Sequence, residues 1–442
     1  MQNKNVVFFI FLLIITGLFF YCIHRDIQIE KQYTGDLRNR IVGARLQMDG
    51  KLPYFFHWQS SADDRYYDPY NFAPSLSSNI TGSPFLHQLL YPLANFSGRV
   101  ISKIWLLLEY LFAFGTIAFF LLKKNKQKQA AVLIIGVLFL FTIGWKWHIA
   151  EGQYYILIPF LMMVFYGLFL KPNKLFNVIS IGFFSVFILL LRPNMLFFLL
   201  PFLFIVRQFS TRLKAILVGS FILFSAVYFL FSQNQVLWKQ YNATMAEQIK
   251  IHQNLLPILQ QNPASPKYTS FDGWDLNEAA KFNNTAPDIS SIEHANVFVL
   301  VKSIFTYKMQ VWQMLILPFI IAAILLFIFW NKNLHPNITQ PDISKIALLG
   351  CCLYMLSELL SPVRRFEYNF TQWLFPLLLM ASQFNPKYWK IYSVILIGLL
   401  LNIIEIKSLR VEHSFGEYLI LCSVLFYALF TNQTSKPTLN KK

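Results

Sequence analysis

Long apolar runs recur along this chain, and they restrict it to one kind of fold. About twelve such segments occur, near 6–23, 102–122, 130–147, 154–170, 175–191, 194–206, 214–231, 311–330, 346–360, 370–384, 390–405 and 416–431. A segment in the bilayer core must satisfy its own backbone polar groups, so a chain built this way forms helices or a closed barrel. The runs are long and continuous, without strand alternation, which selects helices. Hydrophobic residues make up 56% of the chain and charged residues only 13%, about half the charge of an ordinary soluble domain. The expectation is an all-α polytopic membrane protein with about 12 transmembrane helices, in a range of roughly 10–13. Segments 194–206 and 370–384 fall short of the ~20 residues that a crossing needs.

The apolar series divides the chain. Residues 1–23 form the first transmembrane helix; they resemble a signal peptide, but no small-x-small site follows Phe20, Tyr21, Cys22 and Ile23, so an uncleaved helix is expected. Residues 24–101 form a polar external stretch. Helices two to seven occupy 102–231, a second polar stretch covers 232–310, helices eight to twelve occupy 311–431, and 432–442 is a tail. The net charge of +17 does not indicate nucleic acid, because the basic residues sit in short loops between apolar runs. Lys123, Lys124, Lys126, Lys128, Lys171, Lys174, Arg207, Arg212, Lys332, Lys345, Lys387 and Lys390 fall on one side, with few cations on the other. The positive-inside rule then makes both termini cytoplasmic and both long stretches external, in a plasma (inner) membrane. Cys22, Cys351, Cys352 and Cys422 lie in or beside apolar segments without zinc-ligand spacing and read as small buried hydrophobes.

The external face carries the residues that topology does not explain. Lys146, His148, Arg192, Arg364 and Arg365 occupy short loops where cations are disfavoured, and an anionic ligand accounts for them better than chance. In TGDLRNRIVGARLQMDGKLPY (34–54), Leu37, Ile41, Ala44 and Met48 make an apolar stripe, with Asp36, Arg40, Gly43 and Gln47 on another face. This spacing predicts an amphipathic helix lying on the membrane surface, ended by Gly50 and Pro53. Asp36 there is either a helix N-cap or a catalytic carboxylate. SPFLHQLLYPL (83–93) is a candidate re-entrant segment, and the second polar stretch, 232–310, reads as an external lid in which Phe271, Trp274 and Phe282, within 262–290, have something to bury. Asp63, Asp64 and Asp68 offer oxygen ligands for a divalent cation, although a solvated loop is the simpler reading; otherwise no cofactor or metal is expected. Glu109, Glu358 and Glu405, inside apolar runs, should each face a cavity or a partner.

A carboxylate at the membrane surface with cations beside it suits base-assisted attack of a hydroxyl on a phosphate-activated centre. No phosphate-binding loop, GxGxxG or zinc motif appears. GDLRNRIVGARLQMDGKLPY (35–54), SPFLHQLLYPL (83–93), EGQYYILIPF (151–160), LRPNMLFFLLPF (191–202) and SPVRRFEYNFTQWLFPLLL (361–379) together resemble the GT-C superfamily of integral-membrane glycosyltransferases. The resemblance is closest to glycosyltransferase family 87, the polyprenyl-phosphate-mannose-dependent alpha-mannosyltransferases. It implies a GT-C-like fold, a polyprenyl-phosphate sugar donor and a lipid or glycan acceptor. It also implies Asp36 as catalytic base. Donor phosphate would meet Arg192, Arg364 and Arg365, with Lys146 and His148 nearby; Arg40, Gln153, Tyr154, Asn194 and Tyr368 would meet sugar or acceptor. The family commonly shows Gly-Gln-x-Asn where this chain has Gly152, Gln153, Tyr154 and Tyr155, and Lys-Pro where it has Arg192 and Pro193. The competing class is a multi-pass transporter or flippase of a lipid-linked or anionic substrate, which would show two similar halves; no such symmetry is visible.

Overall fold

The computed structural model describes residues 2–31, 35–54, 56, 64–66, 80–122, 125–172, 174–252, 296–305, 307, 309–333, 339–363, 365–404 and 412–431. Helices account for the regular structure throughout these residues. In chain order they are α1 (Gln2–Glu30), α2 (Gly35–Met48), α3 (Pro84–Leu89), α4 (Gly98–Leu121), α5 (Lys126–Leu140) and α6 (Ile143–Glu151). Then come α7 (Leu157–Phe169), α8 (Leu175–Leu191), α9 (Leu196–Leu199), α10 (Leu203–Val206), α11 (Thr211–Phe229) and α12 (Ser232–His252). The last six are α13 (Val297–Phe305), α14 (Val311–Asn333), α15 (Gln340–Leu359), α16 (Leu374–Ser382), α17 (Trp389–Leu401) and α18 (Glu412–Phe430).

Among the described residues, five stretches are long and apolar enough to cross a membrane: Phe9–Glu30, Gly98–Leu121, Thr211–Phe229, Val311–Lys332 and His413–Phe430. A sixth arises if α5 and α6, bent by 56° at their junction, count as one span. Their outer faces carry exposed large hydrophobics, among them Phe9 and Leu13 on α1, Ile222 and Leu223 on α11, and Phe319 and Ile320 on α14. This much is the architecture of a helical membrane protein.

Several apolar runs are used differently from the expected crossings. The run 370–384 becomes a 3-10 turn over Glu367–Trp373 followed by the 9-residue α16, all of whose residues are buried. A helix that is apolar all round belongs inside protein, and α16 forms the centre of the core with Phe375, Leu378 and Trp373. The run 194–206 is broken into single turns, with Pro193 and Pro201 each opening a 3-10 turn. Proline removes a backbone donor, and such backbone is tolerated at membrane depth only under protein cover. Phe198, Phe202 and Ile205 supply that cover by packing into the core.

The first helix runs to Glu30 rather than stopping near residue 23. Arg25 and Asp26 make this possible because neither is left unpaired. Asp26, fully buried, accepts hydrogen bonds from Tyr110 Oη (2.6 Å), Trp145 Nε1 (2.7 Å) and Arg25 Nε (2.7 Å). Arg25 Nη2 also donates to the Leu140 carbonyl at 2.8 Å.

Helix α2 departs most from expectation. Instead of lying with one face to lipid and the other to water, it is enclosed. Leu37, Ile41 and Ala44 enter the main core, while Val42 and Leu46 pack with Tyr66 and Ile80 on another side. Arg45 is buried too, and its guanidinium donates to the carbonyls of Ala94 (2.7 Å), Arg65 (3.0 Å) and Phe96 (3.0 Å). Leu37, Ile41 and Ala44 face the core as their spacing predicts, Met48 is only half-buried, and residues 80–96 fold over the face expected to be polar. Gly50, at φ 73°, lets the chain leave the helix in the left-handed conformation expected of a C-terminal glycine. Helix α3 starts as its sequence dictates, with Ser83 Oγ accepting from Leu86 N at 3.1 Å and Pro84 in the first turn. His87 of α3 is wholly buried against α2, where a Cβ on Gly43 would lie 2.5 Å from its Nε2.

Candidate functional site

One end of the bundle holds a cavity of about 350 Å³, within the ordinary range of ligand pockets. Four pieces of chain meet there. The start of α2 brings Asp36, Asn39 and Arg40, and the turn after α6 brings Tyr154 and Tyr155. The break after α8 brings Arg192, Pro193 and Asn194. The end of α15 and the segment after it bring Glu358, Ser361, Arg365, Phe366, Tyr368 and Asn369. Thr81, Gly82 and Ser83 close one side, and α12 closes another with Tyr241, Met245 and Gln248.

Asp36 is the second residue of α2, inside the helix rather than at its cap, and its side chain remains 32% exposed. Gln153 Nε2 donates to Asp36 Oδ2, and Tyr368 Oη donates to the same oxygen at 3.4 Å. Burial, with the Asp36 carboxylate beside it, pushes the Tyr368 hydroxyl well above its ordinary range, which keeps it a proton donor. Arg40 lies one helical turn on, its Nη2 3.8 Å from Asp36 Oδ2 and 2.5 Å from Gln153 Oε1, with Nη1 3.3 Å from the Gly152 carbonyl. Gln153 therefore links acid and base, orienting Asp36 while held by Arg40.

Gly152 makes this possible. It caps α6 at φ 59°, and a Cβ there would approach Leu37 Cβ to 2.7 Å. The left-handed turn disfavours any residue with a Cβ, and the contact with α2 leaves no room for one. Glycine at 152 lets the chain reverse tightly enough to present Gln153 to the first turn of α2.

Across the cavity, Arg192 leaves α8 in extended conformation and pairs with Glu358, whose other oxygen accepts from Asn194 Nδ2. Arg192 Nη1 also donates to Tyr154 Oη at 3.3 Å. Its guanidinium lies over the Tyr155 ring at 4.6 Å, and Arg40 lies over the Tyr154 ring at 5.1 Å. Tyr155 stacks on Tyr368 (5.6 Å between centroids, 20° between planes), and Tyr368 on Phe366 (5.3 Å, 23°). These stacked rings carry the cavity from Arg192 to Asp36.

Of the residues expected at a site, Asp36, Arg40, Tyr154, Arg192, Asn194, Arg365 and Tyr368 line one cavity, and Gln153 bonds to two of them. Arg365 lines it with a guanidinium already engaged, donating to both Glu417 oxygens at 2.8 Å. Trp373 Nε1 joins the same carboxylate at 2.8 Å. Lys146 and His148 are not brought to the cavity. Helix α6 turns Trp145 and His148 inward, so that His148 is fully buried with Nε2 3.4 Å from Glu109. The turn at Gly152 then presents Gln153 to the Asp36 carboxylate. Arg364, Asp63 and Asp68 lie outside the described residues, as does most of the expected lid, including Phe271, Trp274 and Phe282, together with Glu405. The first part of that stretch is the 21-residue α12. Its cavity residues Tyr241, Met245 and Gln248 were missed, although their spacing of four and three marks one helical face. Glu358, expected to face a cavity or partner, does both.

Beside the polar cavity lies an apolar one of about 340 Å³, lined by Leu86, Leu90, Trp105, Leu108, Phe112, Ile156 and Phe187 among others; Tyr154 borders both. Compared with known protein families, curated proteins and solved structures, the chain matches none.

Proposed function

We propose that this chain is an inverting membrane glycosyltransferase. In this reading it moves a hexose, mannose by its sequence resemblance, from a polyprenyl-phosphate sugar to a hydroxyl of a lipid or glycan. The observation that carries the reading is the pairing of a half-exposed carboxylate, oriented by Gln153 and Tyr368, with Arg192 on the opposite wall of one cavity. The apolar cavity that shares Tyr154 adds support, since a lipid-linked substrate needs a polar and an apolar compartment in contact.

Asp36 takes the proton of the acceptor hydroxyl as its oxygen bonds to the anomeric carbon. The bond from that carbon to the phosphate oxygen breaks on the opposite face, inverting the centre. The electron pair leaves with polyprenyl phosphate, and Arg192 is the nearest described cation on that wall with donors to offer. A GT-C-like architecture of about twelve crossings in the plasma membrane, termini cytoplasmic and cavity external, belongs to the same proposal.

The test is incubation of purified protein, in lipid, with a panel of polyprenyl-phosphate sugars and lipid or glycan acceptors. Consumption of one donor with transfer or release of its sugar is expected. No reaction with any donor refutes the proposal. Transbilayer movement of a lipid-linked sugar, with its sugar intact, replaces it by the transporter or flippase reading.

A further inference from the structure

The geometry points to Glu358 as the residue that selects the transferred sugar, its carboxylate accepting hydrogen bonds from the sugar's hydroxyl groups. This rests on the transferase reading above and concerns the donor half of the same cavity.

The charges around the cavity are balanced before any ligand arrives. Arg40 faces Asp36, Arg365 is doubly bonded to Glu417, and Arg192 is paired with Glu358. Arg192 therefore offers phosphate a charge already shared with Glu358, and an anion placed directly against Glu358 would be repelled. The wall suits a neutral group with both donors and acceptors, and a hydroxyl has both.

Glu358 has acceptor capacity to spare. Its side chain is 4% exposed and lies at the last turn of α15, facing the cavity. One oxygen takes a bond from Arg192 and the other from Asn194. A carboxylate accepts about four hydrogen bonds, so two acceptor directions remain on a group that its two neighbours hold rigid. Arg192 and Asn194 in turn present donors beside those acceptors. Alternating donors and acceptors fixed on a buried wall will recognise a polyol. The rings of Tyr155 and Tyr368, stacked on each other, line the path from this wall to Asp36. The anomeric carbon then points toward the base while the ring hydroxyls meet Glu358.

A site built to hydrogen-bond a hydroxyl rejects the analogue lacking it strongly, because its own polar groups are left unpaired. The experiment compares the donor found active in the panel with its singly deoxygenated analogues, in wild type, Glu358→Gln and Glu358→Asp. Wild type is expected to use at least one analogue ~100-fold less well than the parent in kcat/KM. In both variants that ratio should fall below ~10-fold. Glu358→Asp keeps the charge opposite Arg192 and carries the test if Glu358→Gln, which strips Arg192 of its counter-ion, does not fold.

A purely structural carboxylate predicts equal losses on parent and analogue, with the ratio unchanged, and that result overturns the inference while leaving the transferase intact. So does a wild type indifferent to every deoxygenation. Preference for an amino-sugar donor, abolished by Glu358→Gln, overturns it in favour of an ammonium partner. A wild type that uses no sugar donor removes the transferase reading and this inference together.

Discussion

Replacing Asp36 by Asn separates the chemistry of the site from its architecture. The oxygen that accepts from Gln153 Nε2 and Tyr368 Oη survives in the amide, so both hydrogen bonds can persist. What the fold loses is the attraction to Arg40, an i,i+4 pair at 3.8 Å with a carboxylate 32% exposed. Such a pair contributes about 0.3–0.5 kcal/mol. What the reaction loses is the carboxylate placed to take the acceptor proton, an effect of roughly 10²–10⁴ in rate. At 1.36 kcal/mol per decade this is about 3–5 kcal/mol of barrier, some tenfold more than the stability term. Asp36→Asn should therefore unfold within a few degrees of wild type and bind donor, yet transfer sugar at least ~100-fold more slowly. The assay is sugar transfer by protein in lipid, with donor binding and thermal unfolding measured on the same preparation. An Asn variant that transfers at near wild-type rate would remove Asp36 from the mechanism.

Gly152→Ala should lose at least ~1–2 kcal/mol from the left-handed backbone alone. Its Cβ would also displace Leu37, so thermal unfolding and transfer rate should fall together, and a wild-type rate would show that the turn does not place Gln153. Arg365→Gln leaves Glu417 buried without its counter-ion and should cost about 3–5 kcal/mol. Most of that stability should return in Arg365→Met with Glu417→Leu, and a stable single variant would refute the structural role. His87 is held neutral, its pKa lowered by burial, and secondarily by Arg40, to about 3. The unfolded chain takes up this proton below about pH 6.5, so the stability that neutral His87 contributes is complete above that value and is lost as pH falls toward 3, at about 1.4 kcal/mol per pH unit. The unfolding-temperature advantage of wild type over His87→Gln should thus shrink between pH 7 and 4.5, and a constant difference would contradict it. In intact cells, single cysteines at Ser61 or Ser270 of a variant lacking the native cysteines should react with an impermeant thiol reagent, and one at Gln127 should not; the reverse pattern would invert the proposed topology.

Sequence by itself determined that this chain is helical, that its long apolar runs are membrane-capable, and that Leu37, Ile41 and Ala44 of α2 share one buried face. These properties follow from composition and from a periodicity of 3.6 residues, both local. Sequence also singled out Asp36 and Arg192, because charged residues flanking apolar runs stand out whatever the fold, while Asn194 and Tyr368 entered only through the family resemblance. The use of each apolar run was decided by packing. The segment 370–384 is as hydrophobic as a crossing, yet α16 is surrounded by protein, and hydropathy is the same whether the neighbour is lipid or phenylalanine. Long-range pairing chose among the cations in the same way. Arg192 and Arg365 look alike in sequence, but one meets Glu358 on the cavity wall and the other is doubly bonded to Glu417, 52 residues away. His148 and Gln153 are five positions apart, and only the left-handed turn at Gly152 sends one into the core and the other to Asp36. Partners so distant in the chain leave no local pattern, so the tertiary fold alone fixes which charges are neutralised and which face the cavity.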